Sequence, residues 1–161
     1  MKGISSFEVD HRKLKPGLYI SRIDGDVTTY DMRFRRPNIE DLMTNSELHS
    51  TEHLFATFIR NSEIGNRIIY FGPMGCQTGF YLLVRDSEHE ETIKTIKEIL
   101  KNIINYEGEM PGASEIECGN FRNLDVGISK IECEKYYEMI KDIIIKDLDY
   151  EANFDTRGNG D

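Results

Sequence analysis

The sequence predicts an α+β fold, an α/β sandwich in which helices pack on one face of a mainly antiparallel sheet. Short runs in which apolar and polar residues alternate are separated by a few longer segments whose apolar residues recur three or four positions apart. The first period is that of a half-buried strand and the second that of an amphipathic helix. A chain of 161 residues is long enough for one domain with a core, covering 1–161, and too short for two to be expected.

The first predicted strand covers residues 27–34, where the residue type alternates. One face carries Tyr30, Met32 and Phe34, and the other carries Thr29, Asp31 and Arg33. Because successive side chains of a strand point to opposite faces, Arg33 is expected to face away from the core.

Two further strands are predicted at 68–71 and 80–84, because both segments are short and rich in apolar, aromatic and branched residues. They flank the glycine-rich segment 72–79. Cys76 is therefore expected in the connection between two strands, where the glycines allow close approach of a substrate to the chain.

The first helix is predicted to begin just before His49 and to run to about Asn61. Thr44 and Glu47 have the spacing of a capping box, in which Thr44 is the N-cap and Glu47 reaches back. The expected apolar anchors of this helix are Leu54, Phe55 and Phe58.

Two more helices follow from apolar stripes at helical spacing. The stripe of the second consists of Ile93, Ile96, Ile99, Leu100, Ile103 and Ile104. The third is predicted over about residues 131–147, with Tyr136, Ile140, Ile143 and Ile144 facing inward. The tail, from about residue 150 to 161, has little to bury and is expected to be loose.

Composition restricts the functional classes. The net charge of −9 argues against nucleic-acid binding, which depends on Lys and Arg neutralising phosphates. No apolar run approaches the length of a membrane span, and the N-terminus lacks the apolar core of a signal peptide. A cytoplasmic protein without a membrane partner is therefore expected. Its three cysteines fit reduced thiols that serve a metal or catalysis better than a disulfide framework.

The pattern His-x-x-Glu-His at 49–53 is the most informative in the chain. His49 and His53 are two of four histidines, and on a helix they share one face, so that both imidazoles can reach one metal ion. A third ligand is needed. Cys118 is favoured, because it follows a turn-rich stretch and precedes a glycine, and Cys76 lies in the glycine-rich segment. One of these thiols is expected to bind metal and the other to do chemistry.

A short pattern of this kind also occurs as an exposed polar face of a helix, and that alternative stands beside the metal site. Other candidates for the third ligand are His11, His89 and Cys133. His89 lies in a charged run and is interpreted as a solvated residue at a helix start. Cys133 has helical surroundings and is interpreted as an ordinary structural cysteine.

Five motifs, in this order along the chain, resemble the S-ribosylhomocysteine lyase family, the autoinducer-2 synthases. They are SFEVDH from Ser6, DMRF from Asp31 with PN from Pro37, HSTEHLFA from His49, GPMGCQTGFY from Gly72, and ECGN from Glu117. Together they span most of the chain, which makes the resemblance specific.

The resemblance implies a metal held by His49, His53 and Cys118, with water or a substrate oxygen completing the ligand shell. It implies ferrous iron as the native ion, often replaced by zinc on isolation; the ligand types suit either. Cys76 matches the catalytic cysteine of the family and Glu52 its catalytic glutamate.

The resemblance also implies a small-molecule substrate and a homodimer with shared active sites. Ser6, His11 and Arg33 match residues that line the substrate pocket, and the resemblance suggests that they come from the neighbouring subunit. Arg33 is further expected to orient Cys76 by offering it a positive charge.

The implied reaction cleaves the thioether of S-ribosylhomocysteine to homocysteine and 4,5-dihydroxy-2,3-pentanedione, the precursor of autoinducer-2, a signal in quorum sensing. Two carbonyl shifts precede a β-elimination. Carbon-bound protons must move in each step, which requires a base in the pocket. Cys76 is the candidate for the first shift, and Glu52 for the later shift and the elimination.

The chain departs from the family in several places. Ser50-Thr51 lies between the ligand histidines where the family usually has Thr-x, and Tyr70-Phe71-Gly72 stands where it typically has Asp-Ile-Ser. Residues 123–125 read Asn-Leu-Asp rather than His-Asp-Leu, and Arg35-Arg36 is more basic than usual. None of these removes a catalytic group, so they bear on substrate affinity more than on the reaction.

Two other functions remain open at this point. His-x-x-Glu-His also opens the inverted zinc peptidases, in which the glutamate activates water for amide hydrolysis. Those enzymes take a glutamate as third ligand and have no need of a cysteine in a glycine-rich loop. A noncatalytic metal-binding protein is the other alternative, and it would leave Cys76 and Glu52 without a purpose.

Overall fold

The computed structural model describes residues 1–154 and has, within them, a four-stranded antiparallel sheet and three α-helices. The strands are β1 (Gly17–Asp24), β2 (Val27–Arg33), β3 (Ile68–Pro73) and β4 (Gly79–Arg85). The helices are α1 (Asn45–Arg60), α2 (His89–Ile104) and α3 (Val126–Ile140), and short 3-10 turns connect several of these elements. The predicted α+β class is confirmed.

The sheet has the strand order β1-β2-β4-β3, and each neighbouring pair is antiparallel. The predicted strands all form, with boundaries one or two residues from those expected. Strand β1 was not predicted. Its first residues, Gly17, Leu18 and Tyr19, are all buried, so that the residue type does not alternate where both faces of the strand are covered.

The helices pack on one face of the sheet and on one another. Phe71 of β3 lies between the two layers, because its ring centroid is 4.9 Å from that of Phe80 and 4.5 Å from that of Phe55 on α1. Leu54 and Phe55 are fully buried as predicted, whereas Phe58 is half-buried and meets Tyr106 edge-on. Helix α1 is therefore fixed against the sheet along its apolar face.

Of the two hydrogen bonds predicted for the capping box of α1, one is confirmed. The Thr44 hydroxyl accepts a hydrogen bond from the Glu47 backbone N–H at 3.1 Å. The other half was wrong: the Glu47 carboxylate does not reach back but accepts from Arg35 at 3.0 Å. Arg35 also binds the buried carboxylate of Glu132 on α3 at 2.8 Å, so this arginine joins the end of β2 to two helices.

The predicted bounds of the third helix were wrong. It begins at Val126, because Asp125 caps it by accepting from the Ile128 backbone N–H at 3.0 Å, and it ends at Ile140. Residues Ile145–Leu148 form a separate 3-10 turn. Ile144, which was expected to face inward, is exposed.

The face of the sheet away from the helices is also covered at its middle. Arg33 lies on this face as predicted, but it is only 3% exposed, and its guanidinium pairs with the buried carboxylate of Asp31. Tyr150 covers this pair: its hydroxyl donates to Asp31 at 2.7 Å and its ring stacks on Tyr19 at 4.9 Å.

The tail prediction is therefore wrong for Tyr150, which is packed. Residues 155–161, on which the rest of that prediction falls, lie outside the described part of the chain. Between residues 1 and 154, none of the helices is long and apolar enough to cross a membrane.

Candidate active site and metal centre

Three side chains that the sequence singled out converge on one point. His49 and His53 project from adjacent turns of α1, and Cys118 comes from the loop between α2 and α3. One ligand atom from each lies within 4.8 Å of the other two, and all three residues are half-buried. The Cys118 sulfur is 3.4 Å from His49 Nε2. The structure thus brings together the three predicted ligands.

The second nitrogen of each imidazole is held by a neighbouring oxygen. His53 Nδ1 lies 3.0 Å from the backbone carbonyl of Pro111, and His49 Nδ1 lies 2.7 Å from Oδ1 of Asn123. A carbonyl only accepts hydrogen bonds, so Nδ1 of His53 carries the proton and Nε2 offers its lone pair. Sequence reasoning missed both partners, because neither Pro111 nor Asn123 is close in sequence to its histidine.

The loop that carries Cys118 is positioned by its own backbone. The Cys118 N–H donates to the Ser114 carbonyl at 3.0 Å, and the Asn120 N–H points to the Cys118 sulfur at 3.4 Å. Gly112 has a φ of +71°, and a Cβ at this position would lie 3.1 Å from His53 Nδ1. Glycine takes this turn and this close approach to the imidazole without strain, whereas a residue with a Cβ would have to displace the ring.

The donor set fits a divalent transition metal. Two imidazole nitrogens and a thiolate are ligands of zinc and iron, and donors that share one ion lie about 3–4 Å apart. The distance of 3.4 Å between the Cys118 sulfur and His49 Nε2 lies in this range. Three protein ligands leave a position for water or substrate, which is typical of catalytic sites. A His-His-Cys group that could hold a metal is therefore present.

Cys76 is exposed in the loop between β3 and β4. Its sulfur is 3.0 Å from the Thr78 hydroxyl and 3.9 Å from Nη1 of Arg33, which donates to the same hydroxyl at 2.8 Å. Gln77 fixes the loop with a φ of +62° and a side-chain bond to the Met43 carbonyl at 3.1 Å. The arrangement presents an accessible thiol beside a buried guanidinium of the same chain. The suggestion that Arg33 reaches Cys76 from the neighbouring subunit was therefore wrong, because β2 and the loop after β3 lie side by side in one chain.

The guanidinium of Arg33 is charged despite its burial. Desolvation disfavours the charge, but the attraction and hydrogen bonds of the Asp31 carboxylate outweigh it and raise the pKa of Arg33. A fixed positive charge beside the sulfur of Cys76 is a setting that activates cysteine as a base or nucleophile.

The remaining predicted site residues are distributed differently. Glu52 is half-buried on α1, next to His53. Ser6 lies in the 3-10 turn Ser5–Phe7, and His11 bonds through Nδ1 to the Val9 carbonyl at 2.8 Å. Within residues 1–154, neither Ser6 nor His11 forms a hydrogen bond to a predicted metal ligand or to Cys76. In a single chain, these two residues are therefore not connected to the site by hydrogen bonds.

The alternative third ligands lie elsewhere. His89 is at a helix start as predicted, but it is half-buried rather than solvated, since its Nδ1 is 2.6 Å from the Tyr30 hydroxyl. Cys133 is fully buried in the core, where desolvation raises its pKa, and its interpretation as a structural cysteine is confirmed.

Comparison with known proteins supports the same assignment. The model of the S-ribosylhomocysteinase (LuxS) family matches residues 4–146. The chain is 46% identical over 155 residues to the S-ribosylhomocysteine lyase of Finegoldia magna, a match that covers 93% of this chain and 99% of the relative. It is 43% identical over 159 residues to the protein of that name from Desulfotalea psychrophila, with 94% and 100% covered.

A third relative, the S-ribosylhomocysteine lyase of Borreliella burgdorferi, is 41% identical over 156 residues, covering 93% of this chain and 99% of the relative. Relatives at this identity match the chain over nearly its full length, and the family model spans every residue of the His-His-Cys group and Cys76. The chain therefore belongs to the S-ribosylhomocysteinase (LuxS) family.

Proposed function

We propose that this protein is a metal-dependent carbon–sulfur lyase that converts S-ribosylhomocysteine to homocysteine and 4,5-dihydroxy-2,3-pentanedione. The observation that carries the proposal is the pairing of two thiols with different surroundings. Cys118 lies with two histidines in a ligand group, and Cys76 is exposed beside the charged guanidinium of Arg33. The three relatives named above carry the name of this activity.

The metal we propose is ferrous iron, with zinc as an ion that replaces it on isolation. His49, His53 and Cys118 would hold it. A divalent ion bound there supplies a Lewis acid for the negative charge that develops on the sugar oxygens. The cysteine ligand argues against an inverted zinc peptidase, which takes a glutamate in this position.

Cys76 is the base that we assign to the first carbonyl shift. As a thiolate it removes a proton from the carbon next to the carbonyl and returns it to the former carbonyl carbon. The hydroxyl proton passes from one oxygen to the other in the same step, so the carbonyl moves by one position. Arg33 holds the sulfur in place through Thr78 and offsets its negative charge.

Glu52 is assigned to the second shift and to the elimination. Its carboxylate removes the proton from the fourth carbon, the electron pair forms a double bond to the fifth carbon, and the carbon–sulfur bond breaks. The electrons leave with sulfur, which takes up a proton as homocysteine, and the enol becomes the dihydroxypentanedione. A half-buried carboxylate next to a proposed ligand on α1 suits this task, because a carboxylate can act as a general base.

A homodimer with shared active sites is also proposed. Ser6 and His11 of the partner subunit would complete the substrate pocket, because the same residues of one chain form no hydrogen bond to its own site within the described part of the chain. Apolar side chains of the N-terminal segment support this, since Ile4 is 54% exposed and Phe7 77% exposed in one chain. The cytoplasmic location stays a prediction of the sequence.

The test of the function is anaerobic incubation of the iron-loaded protein with S-ribosylhomocysteine, in which a thiol reagent follows the release of homocysteine. A metal-stripped sample is the control. We expect release that depends on the metal. A folded, metal-bound protein that releases no thiol would contradict the proposal.

A further inference from the structure

We infer that Asn123 is a positioning residue of the metal centre, whose side-chain amide fixes the tautomer and orientation of His49 and gives that ligand a neutral partner. The inference rests on the proposed metal binding by His49, His53 and Cys118. It adds a residue outside the ligand group and assigns it a specific task.

The side chain of Asn123 is held at both ends. Its Oδ1 lies 2.7 Å from His49 Nδ1, and its Nδ2 donates a hydrogen bond to Oδ1 of Asn45 at the start of α1. Because the amide nitrogen is engaged with Asn45, the oxygen faces His49 and can only accept. His49 therefore carries its proton on Nδ1, and Nε2 offers its lone pair on the side of Cys118, whose sulfur is 3.4 Å away.

The backbone of Asn123 is anchored separately from its side chain. Its carbonyl accepts hydrogen bonds from the hydroxyls of Ser46 at 2.5 Å and Ser50 at 3.4 Å, and the Ser50 hydroxyl accepts from the Asp125 N–H at 2.9 Å. The turn that follows Cys118 is thus fastened to the first half of α1. Removal of the Asn123 side chain leaves these bonds in place, so its effect on the ligand can be measured without loss of the turn.

The chemistry of the partner affects the ligand. A carboxylate would attract the Nδ1 proton and make the imidazole a stronger donor, whereas an amide fixes the ring without adding negative charge. The partner of His53, the carbonyl of Pro111, is neutral as well. Neither imidazole then faces a negatively charged partner, and Cys118 is the one of the three ligands that can bind as an anion. A divalent ion held by this group would keep more of its positive charge and would be the stronger Lewis acid for it.

The test measures Co²⁺ binding to the whole protein, because the visible absorption of Co²⁺ reports the ligands and their geometry. Affinity is obtained by competition with a chelator for wild type, Asn123→Ala, Asn123→Asp and Arg122→Gln. Arg122 is exposed, neighbours Asn123, and its change to Gln shifts the net charge by the same amount as Asn123→Asp. It therefore controls for charge alone.

We expect Asn123→Ala to bind Co²⁺ about 10- to 100-fold more weakly, the usual cost of losing an outer partner of a ligand histidine, and to have altered absorption bands. Asn123→Asp restores an acceptor, so it should regain most of the affinity, with bands displaced from those of wild type. Arg122→Gln should match wild type in both.

The inference is overturned if Asn123→Ala keeps wild-type affinity within about twofold together with the wild-type spectrum. It is also overturned if Asn123→Asp binds as weakly as Asn123→Ala, since an acceptor is then not what matters. Should Asn123→Ala fail to fold without metal, the comparison of Asn123→Asp with Arg122→Gln decides, because only the first is expected to displace the bands. A wild-type protein that binds no Co²⁺ would refute the metal proposal itself.

Discussion

At the scale of single residues, the two thiols of the candidate site differ in what surrounds them. Cys118 lies 3.4 Å from a ligand nitrogen, whereas Cys76 lies 3.0 Å from a hydroxyl and 3.9 Å from a guanidinium. These surroundings suit the metal-ligating role proposed for Cys118 and the proton-transfer role proposed for Cys76. Substitution of each should affect a different property.

Cys76→Ala is expected to keep the fold and the bound metal but to abolish turnover, because its sulfur is the proposed base of the first carbonyl shift. Cys118→Ala is expected to lose metal first and activity as a consequence. Metal content by elemental analysis and homocysteine release, measured on both variants, provide reciprocal controls. A Cys76→Ala protein that still releases homocysteine would refute the assignment.

Gly112→Ala should weaken both the fold and the metal site. The left-handed φ of +71° costs about 1 kcal/mol for alanine, and the new Cβ would press on His53 at 3.1 Å. Gly25→Ala is a matched control, since Gly25 has a φ of +58° but a Cβ added there would meet no atom within 4 Å. Chemical unfolding should show a similar loss for both, and only Gly112→Ala should lower metal affinity. Equal metal affinity of Gly112→Ala and Gly25→Ala would contradict this prediction, because the loop would then have adjusted without displacing His53.

Helix α1 is the element on which the site depends. Its apolar face packs through Phe55 on Phe71, and its opposite side carries His49 and His53 toward the Cys118 loop. The register of the ligands therefore follows from the packing of the helix, and its start is fixed by Thr44. The two histidines can meet Cys118 because the apolar face of α1 is packed on the sheet while its opposite face is turned toward the Cys118 loop.

Thr44→Ala should destabilise the protein by about 1 kcal/mol, because the Glu47 N–H loses the hydroxyl that caps it. Thr44→Ser keeps the hydroxyl and should restore most of the loss. Urea unfolding of the two variants and wild type measures the difference. Equal stability of Ala and Ser at this position would mean that the packing of α1 alone determines where it starts.

At the scale of the whole molecule, Tyr150 covers the middle of the second face of the sheet. Tyr150 packs on Tyr19 and donates to Asp31, which in turn holds Arg33 beside Cys76. A residue distant in sequence thus supports the surroundings of the exposed thiol. Burial, followed by the negative charge of Asp31, raises the pKa of Tyr150 above its ordinary value.

This shift predicts loss of stability in alkali. A tyrosine whose folded pKa is raised stabilises the fold below its unfolded pKa of about 10, and the stabilisation is lost as pH rises above that value, because the unfolded chain releases the proton. Tyr150→Phe should therefore flatten the decline by up to about 1.4 kcal/mol per pH unit. Urea unfolding between neutral pH and alkaline pH tests this; parallel declines in wild type and variant would refute it.

The proposed homodimer with shared sites predicts complementation between inactive subunits. Cys76→Ala and His11→Ala should each be inactive as homodimers, but a mixed dimer has one site in which Cys76 of one chain and the histidine supplied by the other chain are both intact. Random mixing through unfolding and refolding should restore about a quarter of wild-type activity per chain. Each variant refolded alone is the control, and a mixture as inactive as both would contradict shared sites.

Much of this arrangement follows from local sequence signals. The helix that carries the ligands, the strands on either side of Cys76 and the loop position of Cys118 were all predictable, because caps, alternation and glycines act within a few residues. Arg33 illustrates the limit. Alternation placed it on the correct face, but its burial depends on Tyr150, which lies far along the chain. Strand β1 escaped prediction for a similar reason, since burial on both of its faces removes the alternation. The start of α3 was missed although its cap, Asp125, is a local signal, because the apolar periodicity alone was used to place the helix.

The sequence by itself determined the family resemblance, the α+β class, and the residue types that can bind a metal and move protons. Only the tertiary structure decided that Cys118, and not another candidate, meets His49 and His53, and that Asn123 and Pro111 hold the outer nitrogens of these ligands. The reason is physical. Caps and periodicity are set by neighbours along the chain, whereas a ligand group and its partners are set by which loops the packing of α1 brings within hydrogen-bonding distance.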